Sequence, residues 1–366
     1  MGLGLEWGGT RIHRADPELD ERLTDPVERN LAELGRGSTI PTRLKAKPMM
    51  AGSTEVTLTL QVNMAFFSQT GGPNNGGVGL SLANCTFENP CGPTDFSQAS
   101  VNALAGLLPN TQLYFNGGTY TTSSPINLAP GQALRSRTAD YSQPATGAAR
   151  STILSGGTIG LQGNNTLENI ILFPRTAEIA SQVGINITGS NNTLTGSQIG
   201  NPDNFTFNIG INDNSSNNTR IDNTSINVNN TGITGNASSN ITIQNSEIAI
   251  SFNSSVRGVS FSNGSTASII NTTITIGSVD IATPIGVIAN SGSRVGIINS
   301  SISMGSGSPT VIGLQANGSG SLITMMGGTI QLGNQNSQIS SSNSGGSVIF
   351  QGGTLCTVGD NGVSCS

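Results

Sequence analysis

Beyond residue 150 the chain carries eight carboxylates able to serve as acids or bases: Glu168, Glu178, Asp203, Asp213, Asp222, Glu247, Asp280 and Asp360. Cleaving a glycosidic bond takes two carboxyls on one surface, one protonating the leaving oxygen and one activating water or attacking carbon. Only Glu168 and Asp222 share a phase of the repeat set out below, each immediately before an Asn, with Thr195 in that phase between them. At strand spacing two coils amount to roughly 9.6 Å, the top of the ~6.5–9.5 Å range of inverting pairs. They are weak catalytic candidates, and solvated turn carboxylates are the plainer expectation. Arg220 stands two residues from Asp222 and is expected as its surface ion-pair partner rather than as a base. His13 is the single histidine and lies in the charged N-terminal segment, so no Ser-His-Asp set can form in the coils. One histidine, no Cys-x-x-Cys and no calcium nonapeptide leave neither metal nor cofactor to expect.

The elements that must position these groups repeat. The pattern apolar-x-(Asn/Gly)-x-x-apolar begins at Leu167, Leu194, Ile221, Ile243, Ile269, Ile297, Met325 and Phe350, in steps of 27, 27, 22, 26, 28, 28 and 25 residues. A second marker, a glycine before apolar-x-apolar, falls between them at Gly184, Gly210, Gly232, Gly258, Gly286 and Gly313. Two markers drifting with one period define a solenoid with one coil per roughly 20–30 residues. Around each marker apolar residues alternate with Ser, Thr and Asn, as in Ile241-Thr242-Ile243 and Ile274-Thr275-Ile276. That period of two, rich in β-branched residues and bounded by Gly and Asn, is strand. Three short strands with turns use up the period, so the expected fold is an all-β right-handed parallel β-helix.

The marker has a physical reading. A turn residue between two strands recurs every ~4.8 Å along the stack. Asn tolerates the left-handed backbone there, and its amide can bond the Asn one coil away. Asn169, Asn223, Asn245, Asn271 and Asn299 are the expected ladder, with Gly196, Gly327 and Gly352 taking the same backbone shape. The flanking apolar residues stack inward. Ile243 is expected in the core and Thr242 on the surface. The many Asn-x-Ser/Thr triplets follow from this turn composition rather than from glycosylation.

Composition excludes several partners. Charged residues make up 10% and aromatics 4% of the 366 residues, with 49 glycines and a net charge of −5. Residues 1–50 hold eight of the 15 basic residues; beyond them stand seven Arg and no Lys. Nucleic acid and acidic membranes are therefore not expected partners, and no apolar run is long enough to span a bilayer as a helix. The four cysteines form two local pairs, Cys85/Cys91 and Cys356/Cys365, read as two short-loop disulfides made in an oxidising compartment. No signal peptide follows Met1, which conflicts with export unless the chain is truncated.

Taken in order, residues 1–50 are a charged segment and 51–93 a strand with a Gly-rich connector and the first Cys pair. The β-helix is expected over 94–366: a cap helix at 95–108, coils over about 111–355 and a C-terminal cap at 356–366. In the first segment, Trp7-Gly-Gly-Thr followed by Glu21-Arg-Leu-Thr-Asp-Pro-Val-Glu-Arg-Asn30 and Leu31–Gly37 resembles the end of the outer-membrane barrel of inverse autotransporters, the intimin/invasin class. The likeness covers residues 1 to about 47 and implies a barrel-anchored passenger whose signal peptide was lost with the barrel. Thr94 or Asp95 can cap a helix with apolar residues at helical spacing up to Pro109. The order helix, Gln112–Phe115, Gly-Thr-Tyr120, Pro125-Ile-Asn-Leu128 resembles the first coil of the pectate-lyase-like β-helix superfamily. That superfamily includes polysaccharide hydrolases and lyases; its lyases pair an Arg or Lys base with acid-bound calcium. Here no cation and carboxylates cluster in one coil phase. The expected function is a non-enzymatic passenger: a monomeric, adhesin-like binding or spacer rod at the cell surface or secreted. Surface glycans or host-cell surface proteins are its candidate partners. The competing expectation is a carbohydrate-active enzyme, a lyase or hydrolase. A regular Thr lattice for ice ranks below both, because the outward rows mix Asn, Ser, Gln and Thr.

Overall fold

A computed structural model describes residues 42–45, 57–60, 63–72, 85–107, 110–176, 182–200, 206–251, 256–277, 283–305, 310–333, 337–358 and 361–364. Residues 1–41, which carry most of the barrel-like segment and His13, lie outside the described residues, as does Cys365. Two short strands, β1 (Thr42–Lys45) and β2 (Thr57–Leu60), pair antiparallel with each other.

Each later coil supplies three strands, as in Arg220–Asp222, Ser225–Val228 and Thr231–Asn236. Every one pairs in parallel with its counterpart one coil on, at Thr242, Glu247 and Arg257. Strands of the third sheet form a nine-stranded parallel array, and the first two sheets join into one of 20 strands because Arg294–Met304 and Leu322–Leu332 run unbroken around the corner. Parallel crossovers of this kind are right-handed. The chain is an all-β right-handed parallel β-helix.

All eight repeat starts lie in one column: Leu167 pairs Leu194, then Ile221, Ile243, Ile269, Ile297, Met325 and Phe350. The first seven are at most 1% exposed. Their second-sheet companions stack likewise from Leu172 through Ile199, Ile226, Ile248, Ile274 and Ile302 to Ile330. The last coil departs from the repeat. Ile330 pairs Cys356 instead of Leu355, so the turn there holds one extra residue. A one-residue slip reverses the faces of a strand: Cys356 turns inward at 3% exposure and Leu355 outward at 66%.

The glycine marker is steric. A Cβ on Gly232 would meet Ile248 Cγ2 at 2.3 Å and the Gly258 carbonyl at 2.5 Å, and Gly258 repeats the pattern against Ile274 and Gly286. Hydroxyls after the ladder position answer another need. Buried Ser246 Oγ accepts from the Thr224 amide at 3.2 Å, and Ser300 Oγ from the Thr272 amide at 3.1 Å. Backbone N–H groups at the corner, which an apolar side chain would leave unmade, are thus satisfied.

The N-terminal end begins earlier than the sequence pattern indicates. Strand β3 (Met64–Gly72) pairs in parallel with Gln112–Phe115, adding a rung from the connector segment. Helix α1 (Gln98–Leu107) follows. Its cap is Ser97, whose Oγ accepts from the Ser100 amide at 3.3 Å, rather than Thr94 or Asp95; Asp95 Oδ2 instead accepts from the Gly92 amide at 2.8 Å. Val101 and Leu104 are fully buried by the first coil, and Gln132 Nε2 donates to the Val101 carbonyl at 3.0 Å. Cys85 and Cys91 are disulfide-bonded, and Cys356 is bonded too, its expected partner lying outside the described residues. Among the described residues no helix is long and apolar enough to cross a membrane.

Candidate functional site

One outward row of the first sheet brings Arg135, Glu168 and Asp222 together. Pair by pair it runs Phe66, Tyr114, Arg135, Glu168, Thr195, Asp222, Gln244, Ile270, Ile298 and Met326. Glu168 and Asp222 are thus in one row with Thr195 between, two coils apart. Each is already engaged. Glu168 lies between two arginines: Arg137 donates from Nη1 to Oε1 at 3.1 Å and from Nη2 to Oε2 at 3.0 Å, and Arg135 Nη1 donates to Oε2. Such forked pairs are among the stronger charge-assisted bonds. Asp222 Oδ2 accepts from Arg220 Nη2 at 2.8 Å, and Oδ1 accepts from Gln244 Nε2 at 3.1 Å and Asn245 Nδ2 at 3.0 Å. Burial alone would raise the Asp222 pKa, but the bonds from Asn245, Arg220 and Gln244 outweigh it and hold the carboxyl below its ordinary value.

The row overturns the expectation that no cation shares a coil phase with carboxylates: Arg135 stands next to Glu168 in it. Arg135 and Arg137 escaped notice because an insertion hides their coil from the repeat. Leu134 pairs Leu167, 33 residues on and outside the 22–28 drift of the later repeat. The insertion is the loop 137–144. Arg137 and Pro144 form a bridge at its neck, and the Thr138 amide donates to the Gln143 carbonyl at 2.9 Å. Its tip turns on Tyr141, whose φ of 58° is left-handed, a conformation costing an L-residue roughly 1–2 kcal/mol. The ring is what holds it there. Tyr141 OH donates to the Phe67 carbonyl at 2.8 Å, and the ring meets Phe66 edge-on at 4.9 Å. Burial pushes the Tyr141 and Tyr120 phenols well above their ordinary pKa. Beside the tip, Asp140 accepts from Thr138 Oγ1 at 2.6 Å and Ser142 Oγ at 2.8 Å. Those bonds, Thr138 first, lower its pKa to about 2.

Row and loop enclose a cleft of about 860 Å³. Tyr114, Phe87 and Met64 give it an apolar side; Arg135, Arg137 and Glu168 its floor; Asp140, Ser142 and Gln143 its rim. The Arg137 guanidinium lies 5.1 Å from the Tyr114 ring centre. Phe87 is carried by the loop that the Cys85–Cys91 bond closes, and it meets Phe66 at 6.0 Å and Tyr141 at 5.9 Å.

At the ladder corner Asn169, Asn223, Asn245, Asn271 and Asn299 all have φ between 47° and 56°, and Gly196, Gly327 and Gly352 between 53° and 68°. Amide contacts there are discontinuous: Asn271 Nδ2 reaches Asn245 Oδ1 at 3.5 Å, while Asn245 turns to Asp222. An unbroken amide ladder stands at the corner between the third and first sheets. Asn191 donates to Asn164 at 3.2 Å, Asn218 to Asn191 at 3.0 Å and Asn240 to Asn218 at 3.2 Å. Its steps of 27, 27 and 22 residues copy the repeat and were open to view in the sequence.

Asp213, one of the eight carboxylates, continues Ile209–Asn214 and points inward between Ile187 and Gly235, 0% exposed. Ser238 Oγ donates to Oδ1 at 2.8 Å, and Oδ2 has no hydrogen-bond partner. Among the described residues no three His, Cys, Asp or Glu side chains gather closely enough to hold a metal.

No family model and no curated protein sequence matches the chain. Solved structures similar to it include pectate lyase Pel9A, with 15% identity, a TM-score of 0.40 and coverage of 78% of this chain and 77% of that one. Another is the Streptococcus pneumoniae surface protein and adhesin PfbA, with 13% identity, a TM-score of 0.37 and coverage of 69% and 94%. A third is alginate lyase from Paenibacillus sp. str. FPU-7, with 12% identity, a TM-score of 0.35 and coverage of 70% and 97%. The parallel β-helix is defined by the strand pairing itself.

Proposed function

We propose that this chain is a non-catalytic binding rod, a monomeric β-helix passenger displayed at a cell surface or secreted, with surface glycans or host-cell surface proteins as partners. The observation that carries it is the engagement of the two candidate carboxylates. Both oxygens of Glu168 take guanidinium donors, and both oxygens of Asp222 take side-chain donors. Neither is placed to trade a proton with a substrate, and roughly two coils of sheet separate them. Display is supported by the Cys85–Cys91 bond, which suits an oxidising compartment, and by the likeness of residues 1 to about 47 to the end of an inverse-autotransporter barrel.

A second reading has one observation in its favour. Glu168 and Asp140 line a cleft with two arginines, so a hydrolase or lyase acting on polysaccharide has groups to draw on. The full chain, incubated with a panel of glycans and polysaccharides and scored separately for retention and for new chain ends, distinguishes the two. Retention without cleavage is the expected result. Cleavage that disappears in Glu168→Gln or Asp222→Asn would establish the enzyme instead.

A further inference from the structure

The geometry points to the cleft beside loop 137–144 as the binding site for a neutral, polyhydroxylated sugar chain, an inference that rests on the binding reading above. Its volume of about 860 Å³ falls within the ~300–1,000 Å³ of ordinary ligand pockets. The charges lining it cancel: Arg135 and Arg137 stand against Glu168 and Asp140. An anionic ligand reaching the arginines would have to displace Glu168, which already occupies their forks, and would face Asp140 at the rim. A cationic ligand would meet the exposed side of Arg135. A sugar ring bears no charge and needs what the cleft offers. Adjacent hydroxyls both donate and accept, and guanidinium, carboxylate, amide and hydroxyl groups are all present. The C–H faces of the ring pack on apolar surface, here the half-buried Tyr114, Phe87 and Met64.

The site is held in place before any ligand arrives. Arg137 is fixed by Glu168 and Tyr114, Asp140 by Thr138 and Ser142, and Phe87 by the disulfide loop and its ring contacts. Ordering of long side chains, a main cost of association, is therefore largely settled in the fold. From the cleft the outward row continues through Thr195, Asp222 and Gln244, a polar track along which a longer chain extends.

Calorimetric titration of the full chain tests this. The probes are short neutral oligosaccharides of glucose, mannose, galactose and N-acetylglucosamine, with galacturonate and mannuronate oligomers alongside. The variants are Arg135→Gln, Gln143→Ala and Phe87→Ala, with Thr329→Ala, several coils further along the stack, as reference. A neutral oligosaccharide should bind, with Kd raised about tenfold or more by Arg135→Gln and Phe87→Ala, roughly 1.4 kcal/mol or more, and unchanged by Thr329→Ala. Arg135 has 26% of its side chain exposed, so Arg135→Gln keeps the test open if Phe87→Ala folds poorly. Binding restricted to the uronates, or neutral binding that the cleft variants leave unaltered, would overturn the site while leaving a binding rod. No binding to any probe would overturn the glycan-binding reading as well.

Discussion

The first and last coils are built on the same three strands, and they treat their ends in different ways. At the N-terminal end the core is filled by packed aromatic rings: Phe115 stacks on Phe67 at 5.0 Å and meets Phe96 at 5.0 Å and Tyr120 at 4.8 Å edge-on, all of them at most 1% exposed. Helix α1 packs on Ile126–Leu128 of the same coil, and a disulfide ties the adjoining loop. In the last described coil the inward residues Ile339, Val348 and Phe350 are only half-buried, and Ile349 and Leu355, with Met326 one coil before, show 42%, 66% and 44% of their surface outside. Chemistry follows the same division. Two arginines, three carboxylates and the cleft share one row or its neighbouring loop near the N-terminal end, whereas residues 295–359 contain no charged side chain. The middle of a solenoid is stabilised by its neighbours on both sides and needs only the repeat; an end has one neighbour and needs something the repeat does not encode.

Substitutions can break or sharpen that contrast. The middle coils set the scale. Ile243→Asp places an unpaired carboxylate between two coils and should cost roughly 4 kcal/mol or more, while the outward Thr242→Asp stays within about 0.5 kcal/mol. Equal denaturation midpoints for these two would mean the faces are assigned backwards. Next come the ends. Phe115→Ala should cost roughly 3–5 kcal/mol, and Phe350→Ala no more than about half of that, because the half-buried ring leaves a smaller cavity. Equal losses on chemical denaturation would erase the difference between a fully buried first coil and a half-buried last described one.

The disulfide should matter less. Cys85 and Cys91 stand 6 positions apart, and closing so short a loop is worth about 2 kcal/mol in the chain-entropy treatment. Cys85→Ser with Cys91→Ser should lower the melting temperature by that measure and loosen Phe87, weakening any cleft ligand together with stability. Smallest is the titration of Asp140. Its folded carboxyl sits at about 2 against an ordinary 3.8, so the bonds from Thr138 and Ser142 contribute above the ordinary value and are lost as pH falls through about 2. Being fully solvent-exposed, the group should produce only a slight drop in melting temperature over that window. Asp140→Asn should remove that part of the drop; an Asn variant that steepens it would reverse the sign assigned to the loop.

Much of the coil architecture was legible because a β-helix writes its register into the chain. Ile221, Ile243 and Ile269 recur because each must fill the core beside the last, and Asn223, Asn245 and Asn271 because the corner demands a left-handed residue. These are local rules repeated, and a repeat can be read without knowing where anything else lies. The inward Asp213, the Cys356 slip and strand β3 were not legible, since each departs from the period by a single residue or stands before it begins. The cleft was beyond reach for a related reason. Tyr114, Arg135 and Glu168 come from three successive coils, and Phe87 and Tyr141 from two irregular loops. Residues up to 104 positions apart, Met64 and Glu168, meet there only because strands stack at ~4.8 Å. From the sequence alone came the fold, the inward columns and the left-handed corners. Tertiary structure alone decided which charges neutralise one another, which coils bury their inward residues fully and where a ligand can lie, because those depend on neighbours along the stack rather than along the chain.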